Sequence, residues 1–156
     1  MVSPIPAGYH SVTPYLMVRD AIKALAFYRQ AFDAEELMRF EGPPGRIAHA
    51  EVKIGDSHVM LADEQAEQGL VGPQTLGGAG VSLMLYLRDV DATFARAIAA
   101  GATVCRPVAD QFYGDRVGTL RDPFGHVWSI ATHKEDVSVD EAKRRMEALT
   151  KQDSPG

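Results

Sequence analysis

The sequence has little cysteine and no run of basic residues, and each absence excludes a class of protein. Cys105 is the single cysteine, so neither an intrachain disulfide nor a cysteine-based zinc cluster can form. Lys and Arg number 16 against 21 Asp and Glu, which gives a formal net charge of -5. An acidic chain without a basic run is poorly suited to phosphate backbones, so we expect no nucleic-acid partner.

Long hydrophobic runs are missing as well. The longest nearly apolar stretch covers residues 81–87, whereas a helix needs about 20 apolar residues to cross a bilayer. The N-terminus lacks the basic region and apolar stretch of a signal peptide, so we expect a cytoplasmic protein with no membrane partner. The remaining composition, 46% hydrophobic and 24% charged over 156 residues, is typical of one globular domain.

One order of secondary structure occurs twice. Arg-Asp at 19–20 and at 88–89 ends a strand and begins a helix, and His-Val at 58–59 and at 126–127 enters a last strand. These separations, 69 and 68 residues, agree within one residue and indicate a duplication. Alternation and helical spacing predict a strand, a helix and three strands per half: 12–18, 21–32, 34–40, 47–54 and 57–62, then 81–87, 89–100, 102–107, 116–121 and 126–132.

The flanking segments complete the predicted organisation. Ser138 and Glu141 form a capping box, and an apolar stripe follows it, so a C-terminal helix is expected to pack on the body and residues 152–156 to fray. The prediction is therefore a single domain over 1–156 with an α+β fold: a βαβββ module over about 9–64, a linker over 65–80, a second βαβββ module over about 81–133 and a helix over about 138–150.

The doubled unit also carries two recognisable motifs. Val-Arg-Asp at 18–20 precedes the first helix, and Asp-Pro-Phe-Gly-His-Val-Trp at 122–128 leads into the last strand. With them, residues 9–135 resemble the vicinal oxygen chelate superfamily of glyoxalase I, bleomycin-resistance proteins and extradiol dioxygenases. Tyr-Gly-Asp-Arg at 113–116 before the second motif is similar to the PhnB-like branch. The resemblance implies two modules that form a curved sheet around a shared cleft, and a homodimer.

The resemblance also implies four positions for a divalent metal, two in each module. In the superfamily they typically hold His and Glu, whereas the corresponding residues here are Thr13, Met60, Ser82 and Ser129. Hydroxyl and thioether groups bind such ions weakly. We therefore expect no metal. We also expect no nucleotide cofactor, because no glycine-rich turn between a strand and a helix occurs.

Other side chains allow a functional and a structural interpretation. His49 and Glu51 share one face of a strand and form either an acid–base pair or a hydrogen-bonded pair on a solvated face. Arg116 either fixes an anionic ligand or pairs with Asp115. Trp128 either walls a cavity or packs in the core.

Three functions follow from these alternatives. The first is a metal-free protein that binds a small organic molecule in the cleft. The second is a glyoxalase-type lyase or dioxygenase whose metal is held by displaced ligands such as His10, His49, Glu51 or His58. The third is a metal-free enzyme that uses His49 and Glu51 for proton transfer. The expected ligand-binding residues are Thr13, Tyr15, Met60, Ser82, Met84, Phe112, Tyr113, Arg116, Trp128 and Ser129.

Overall fold

The chain forms two four-stranded sheets, each with its own helix, and a C-terminal helix. A computed structural model describes residues 1–153. Its elements are β1 (Tyr15–Val18), α1 (Ala21–Phe32), β2 (Glu35–Glu41), β3 (Ile47–Ile54), β4 (Ser57–Asp63), a 3-10 turn (Ala66–Gln68), α2 (Pro73–Leu76), β5 (Ser82–Tyr86), α3 (Val90–Ala99), β6 (Thr103–Asp110), β7 (Asp115–Arg121), β8 (Val127–His133) and α4 (Val139–Gln152).

The two sheets have the same topology. Their strand orders are β1-β4-β3-β2 and β5-β8-β7-β6, and the first pair in each is parallel while the others are antiparallel. Tyr15 pairs with Met60, and 69 residues later Met84 pairs with Ser129. Tandem βαβββ modules in an α+β fold, with a C-terminal helix, are therefore confirmed.

Each module's helix begins at the same kind of cap. The side chains of Asp20 and Asp89 each accept a hydrogen bond from the backbone N–H three residues later, at 3.1 Å. Such a carboxylate satisfies a donor that has no partner inside the helix. The two Arg-Asp pairs of the sequence are thus the helix starts of the two modules.

One hydrophobic core serves both modules. α1 packs against α3, and the helix-bearing sides of both sheets contribute to a single buried cluster. Phe32 of α1 lies against Trp128 of β8, with ring centroids 4.9 Å apart. The opposite side of each sheet, here called its open face, carries exposed apolar side chains such as Phe40 and Met84.

Most element boundaries fall within two residues of expectation, and three differences are larger or add an element. β1 starts at Tyr15 rather than 12, because Pro14 has no N–H to add to the ladder and only its carbonyl accepts a bond, from Met60. β6 runs on to Asp110, where a loop was expected from 108, because Asp110 pairs with Arg116 of β7. The linker holds the 3-10 turn and α2.

The C-terminal helix is attached mainly through polar contacts. Arg145 bonds to the carbonyl of Phe112 and to Glu135, while no residue of α4 is buried. α4 includes Gln152, so it extends beyond the expected end at 150, and residues 154–156 of the expected frayed end lie outside the described part. No helix among residues 1–153 combines the length and apolarity needed to traverse a membrane.

Candidate functional site

A chain of four hydrogen-bonded side chains lies on the open face of the first module. Tyr15 Oη lies 2.7 Å from His49 Nδ1, and His49 Nε2 lies 3.0 Å from Glu51 Oε1. Tyr9, from the segment before β1, donates its hydroxyl proton to Glu51 Oε2. A neutral imidazole with its proton on Nε2 satisfies both of its contacts, since it accepts from Tyr15 and donates to Glu51.

The strand geometry explains why these groups meet. His49 and Glu51 are two residues apart on β3 and share a face, and β4 places Met60 opposite Glu51. β1 then pairs with β4 and brings Tyr15 beside Met60. The predicted pair is therefore hydrogen-bonded, and it is partly shielded, with side-chain exposures of 23% and 8%.

The carboxyl and the two phenols of this hydrogen-bonded chain have pKa values shifted in opposite directions. The Tyr9 hydroxyl holds the pKa of the Glu51 carboxyl below its usual value; burial opposes this effect and His49 supports it. The hydrogen bond to Glu51 in turn raises the pKa of Tyr9, and burial followed by the charge of Glu51 raises that of Tyr15. Near neutral pH the carboxylate is ionised and both phenols keep their protons. His49 is thus placed between a proton donor and an anionic acceptor.

The segment before β1 forms one side of an open cavity over this face. A cavity of about 370 Å³ is lined by Ile5, Tyr9, His10, Thr13, Glu51 and Met60, among others. Tyr9 was not among the expected site residues. It precedes the first strand, where no periodic pattern signals which surface a side chain covers.

A second cavity lies between the two modules. It has a volume of about 200 Å³, and its wall combines Thr13 and Val59 of the first module with Leu83, Met84, Leu85 and Trp128 of the second. The lining is mainly apolar. His10 and Thr13 border both cavities, so one layer of side chains separates them.

The four positions of the family's metal do not form a metal-binding set. Met60 and Ser129 lie on β4 and β8, the last strands of their modules in chain order, and Ser129 Oγ bonds to Thr119 at 2.9 Å. Thr13 precedes β1 and bonds to the carbonyl of His10. Three hydroxyls and a thioether do not fit a divalent first-row metal. Nor do residues 1–153 contain a cluster of three His, Cys, Asp or Glu side chains arranged to hold one.

Several predicted ligand-binding residues lie outside both cavities. Arg116 makes a bidentate ion pair with Asp91 of α3, at 2.8 and 3.0 Å, and reaches Asp110. Phe112 and Tyr113 pack edge to face with centroids 5.2 Å apart. Ser82 begins β5, beside Val127. No lining of either cavity includes these residues, so their binding roles stay predictions: Ser82, Phe112, Tyr113, Arg116 and Ser129.

A second polar cluster lies on the second module. Asp115, only 5% exposed, accepts from Tyr86 Oη at 2.7 Å and contacts His133 Nδ1 at 2.7 Å. His133 Nε2 contacts Asp136, also at 2.7 Å. Period-two spacing from Met84 could have indicated Tyr86, but the contact with His133 depends on the pairing of β7 with β8.

Comparison with known proteins identifies the family. The model of the glyoxalase/bleomycin resistance protein/dioxygenase superfamily matches residues 8–130. The chain belongs to this superfamily. An uncharacterised protein of Mycobacterium tuberculosis (strain H37Rv) is 43% identical over 139 residues, which cover 87% of this chain and 82% of the relative.

Two crystal structures of the superfamily's fold resemble this chain. TioX from Micromonospora sp. ML1 is 28% identical with a TM-score of 0.62, over 80% of this chain and 98% of TioX. TnmS3 from Streptomyces sp. CB03234, described as an antibiotic binding protein, is 25% identical with a TM-score of 0.61. The match covers 83% of this chain and 99% of TnmS3. The resemblance to the superfamily that the sequence motifs indicated is thus confirmed.

Proposed function

We propose that this superfamily member binds a small, largely apolar organic molecule in the cavity between its two modules, without a metal. The observation that carries the proposal is the composition of that cavity: mainly apolar side chains from both modules, with polar groups from His10, Thr13, Ser57 and His58 of the first. A ligand site of this kind is concave and mostly apolar, with a few groups that fix orientation. The similarity to TnmS3, an antibiotic binding protein, supports the same class of function.

The proposed ligand is small or enters only in part. A volume of about 200 Å³ is below the roughly 300–1,000 Å³ of typical drug-sized sites. Thr13 and His10 separate it from the cavity on the first module, so a longer ligand would extend past these two residues. Trp128 lines the cavity and is the only tryptophan, which makes its fluorescence a direct reporter.

The test is titration with N-phenyl-1-naphthylamine, a neutral dye whose emission depends on its surroundings. We expect saturable 1:1 binding that quenches Trp128. Met84→Trp, which fills the cavity, weakens dye binding about tenfold or more, which corresponds to about 1.4 kcal/mol. Met38→Trp, a matched control on exposed β2, leaves it unchanged. Non-saturable binding, or equal effects of both substitutions, contradicts the proposal.

A second candidate function, a metal-free acid–base enzyme, is favoured by the hydrogen-bonded Tyr15–His49–Glu51–Tyr9 chain, in which His49 lies between a phenol and a carboxylate. Positioned general acids and bases accelerate proton transfer about 10²–10⁴-fold. The test is deuterium exchange into phenylacetone, a model carbon acid, followed by NMR. His49→Gln and Glu51→Gln abolish acceleration if this function holds, whereas Lys53→Gln on the same strand retains it. Exchange that equals buffer with the unchanged protein rejects this candidate.

A homodimer is also proposed. Phe40 on the first open face and Tyr86 on the second are 60% and 57% exposed, and a second copy would cover such apolar surface. Light scattering is expected to give twice the 16.9 kDa chain mass, and a monomer mass would reject the dimer. A cytoplasmic location stays a prediction.

A further inference from the structure

Tyr9 inserts a phenol ring into the first module's open face from a segment that has no regular structure. Its hydroxyl donates to Glu51 Oε2, and its ring lies on the imidazole of His58, with centroids 3.9 Å apart and planes inclined by 37°. The site therefore supplies both parts of a recognition site for a hydroxylated ring. The carboxylate accepts the proton, and an aromatic surface supports the ring.

The segment that carries Tyr9 is otherwise weakly attached. Residues 1–14 contain no strand or helix, and among the described residues Tyr9 makes the only hydrogen bond from 1–13 to a strand of the sheet. Tyr9 N bonds within the segment, to Pro6 O. Ile5 is 43% exposed and Val2 96%. Displacing the segment breaks its one hydrogen bond to the strands and moves Tyr9 and Gly8 away from the His58 ring, while the ladder of the sheet keeps its own hydrogen bonds.

Tyr9 supplies one of the two side-chain donors of the Glu51 carboxylate, to Oε2, while His49 serves Oε1. Its side chain is 8% exposed and ionised at neutral pH, and an unpaired buried charge is costly. A molecule that replaces Tyr9 and reproduces both of its contacts brings a hydrogen-bond donor on an aromatic ring. Space beside the ring is provided by the cavity of about 370 Å³ that Pro4, Ile5 and Met60 help to line.

We propose that Tyr9 acts as an internal ligand in a site for hydroxylated aromatic molecules, and that a free phenol competes with it for the Glu51 carboxylate and the face of His58. This site goes beyond the proposed function: its His58 ring also borders the cavity between the modules, but Tyr9 and the Glu51 carboxylate do not line that cavity. Met84→Trp leaves it open, so either proposal can fail without the other.

The test is an NMR titration of the full chain with p-cresol, which is the side chain of tyrosine, and with toluene, which lacks the hydroxyl. Tyr9→Ala empties the site, and we expect it to bind p-cresol about tenfold or more tightly than the unchanged protein, as expected for one hydrogen bond to a charged group. Tyr9→Phe keeps the ring but gives up the hydrogen bond, so its affinity for p-cresol should lie between those of the unchanged protein and Tyr9→Ala. The affinity for toluene should rise little on Tyr9→Ala, because toluene has no hydroxyl to donate to Glu51.

Two controls define the site. Tyr86→Ala removes another phenol bonded to a carboxylate, that of Asp115, and leaves p-cresol affinity unchanged. Glu51→Gln in the Tyr9→Ala background abolishes the gain. The proposal is overturned if Tyr9→Ala binds p-cresol no better than the unchanged protein, or if toluene gains equally. If Tyr9→Ala does not fold, the test uses the unchanged protein, in which p-cresol should shift the NMR signals of the His58 ring protons. The absence of that shift also overturns the proposal.

Discussion

Tyr28 of the first module donates its phenolic proton to Asp122 of the second across 2.5 Å, and both side chains are buried. The same carboxylate oxygen accepts from Trp128 Nε1 at 3.0 Å, and the other oxygen accepts the backbone N–H groups of Phe124 and His126. The Asp-Pro-Phe-Gly turn thus holds a carboxylate on which both modules converge. Burial, more than the charge of Asp122, keeps the pKa of Tyr28 well above its usual value, so the donor stays protonated.

Removing this donor is expected to weaken the contact between the modules. Tyr28→Phe keeps the ring but takes away a hydrogen bond to a buried carboxylate, and should lower the free energy of unfolding by about 2 kcal/mol. Urea denaturation measures the change. The control is Tyr86→Phe, which breaks a bond to Asp115 at an exposed tyrosine and should cost about 1 kcal/mol or less. Equal losses would show that Tyr28 has no special role.

Asp63 is expected to be a stronger stabiliser than the helix cap beside it. Its two oxygens accept from Ala21 N at 3.0 Å and Ile47 N at 2.6 Å, and its side chain is buried. Asp63→Ala leaves two buried N–H groups unpaired and should cost about 3 kcal/mol. Asp20→Ala, which loses one exposed cap, should cost about 1 kcal/mol. Thermal and urea unfolding measure both, and a reversed order contradicts this assignment.

Glu51 should make stability depend on pH on the acid side. Tyr9 lowers its folded pKa below the usual 4.5, so the unfolded chain binds the proton more tightly. This contribution is fully present above pH about 4.5 and is lost as pH falls through the lowered value. Stability curves should show the largest difference between the unchanged protein and Glu51→Gln at pH 7. The difference should shrink below pH 4, and a constant difference would refute the linkage.

His133 should have the opposite dependence. The hydrogen bond to Asp136 first, and that to Asp115 second, raise its folded pKa above the usual 6.5. Its contribution is therefore complete below pH about 6.5 and is lost as pH rises through the raised value. His133→Gln should be more destabilising at pH 5.5 than at pH 9, while His10→Gln serves as an exposed control. NMR titration of the His133 ring should show the raised midpoint directly, and a midpoint at or below 6.5 contradicts it.

Local patterns in the sequence predicted much of the fold. Asp20 and Asp89 cap helices where the sequence predicted helix starts, because capping involves neighbours three residues apart, and α1 has the predicted bounds. The alternation over 47–54 gave β3 its limits and put His49 and Glu51 on one face. The separation of 69 residues revealed the duplication, because both copies must satisfy the same local rules.

Only the tertiary structure decided what those faces contact. The sequence left Arg116 between binding a ligand and pairing with Asp115, whereas the fold gives it Asp91 and Asp110 as partners. It could not place Tyr9 over Glu51, 42 residues away, or Tyr28 beside Asp122. Such pairs depend on how sheets and helices pack, and a packing contact leaves no periodic trace along the chain. Periodicity along the chain determines which face of a strand or helix a residue lies on, whereas tertiary packing determines which residue it contacts there.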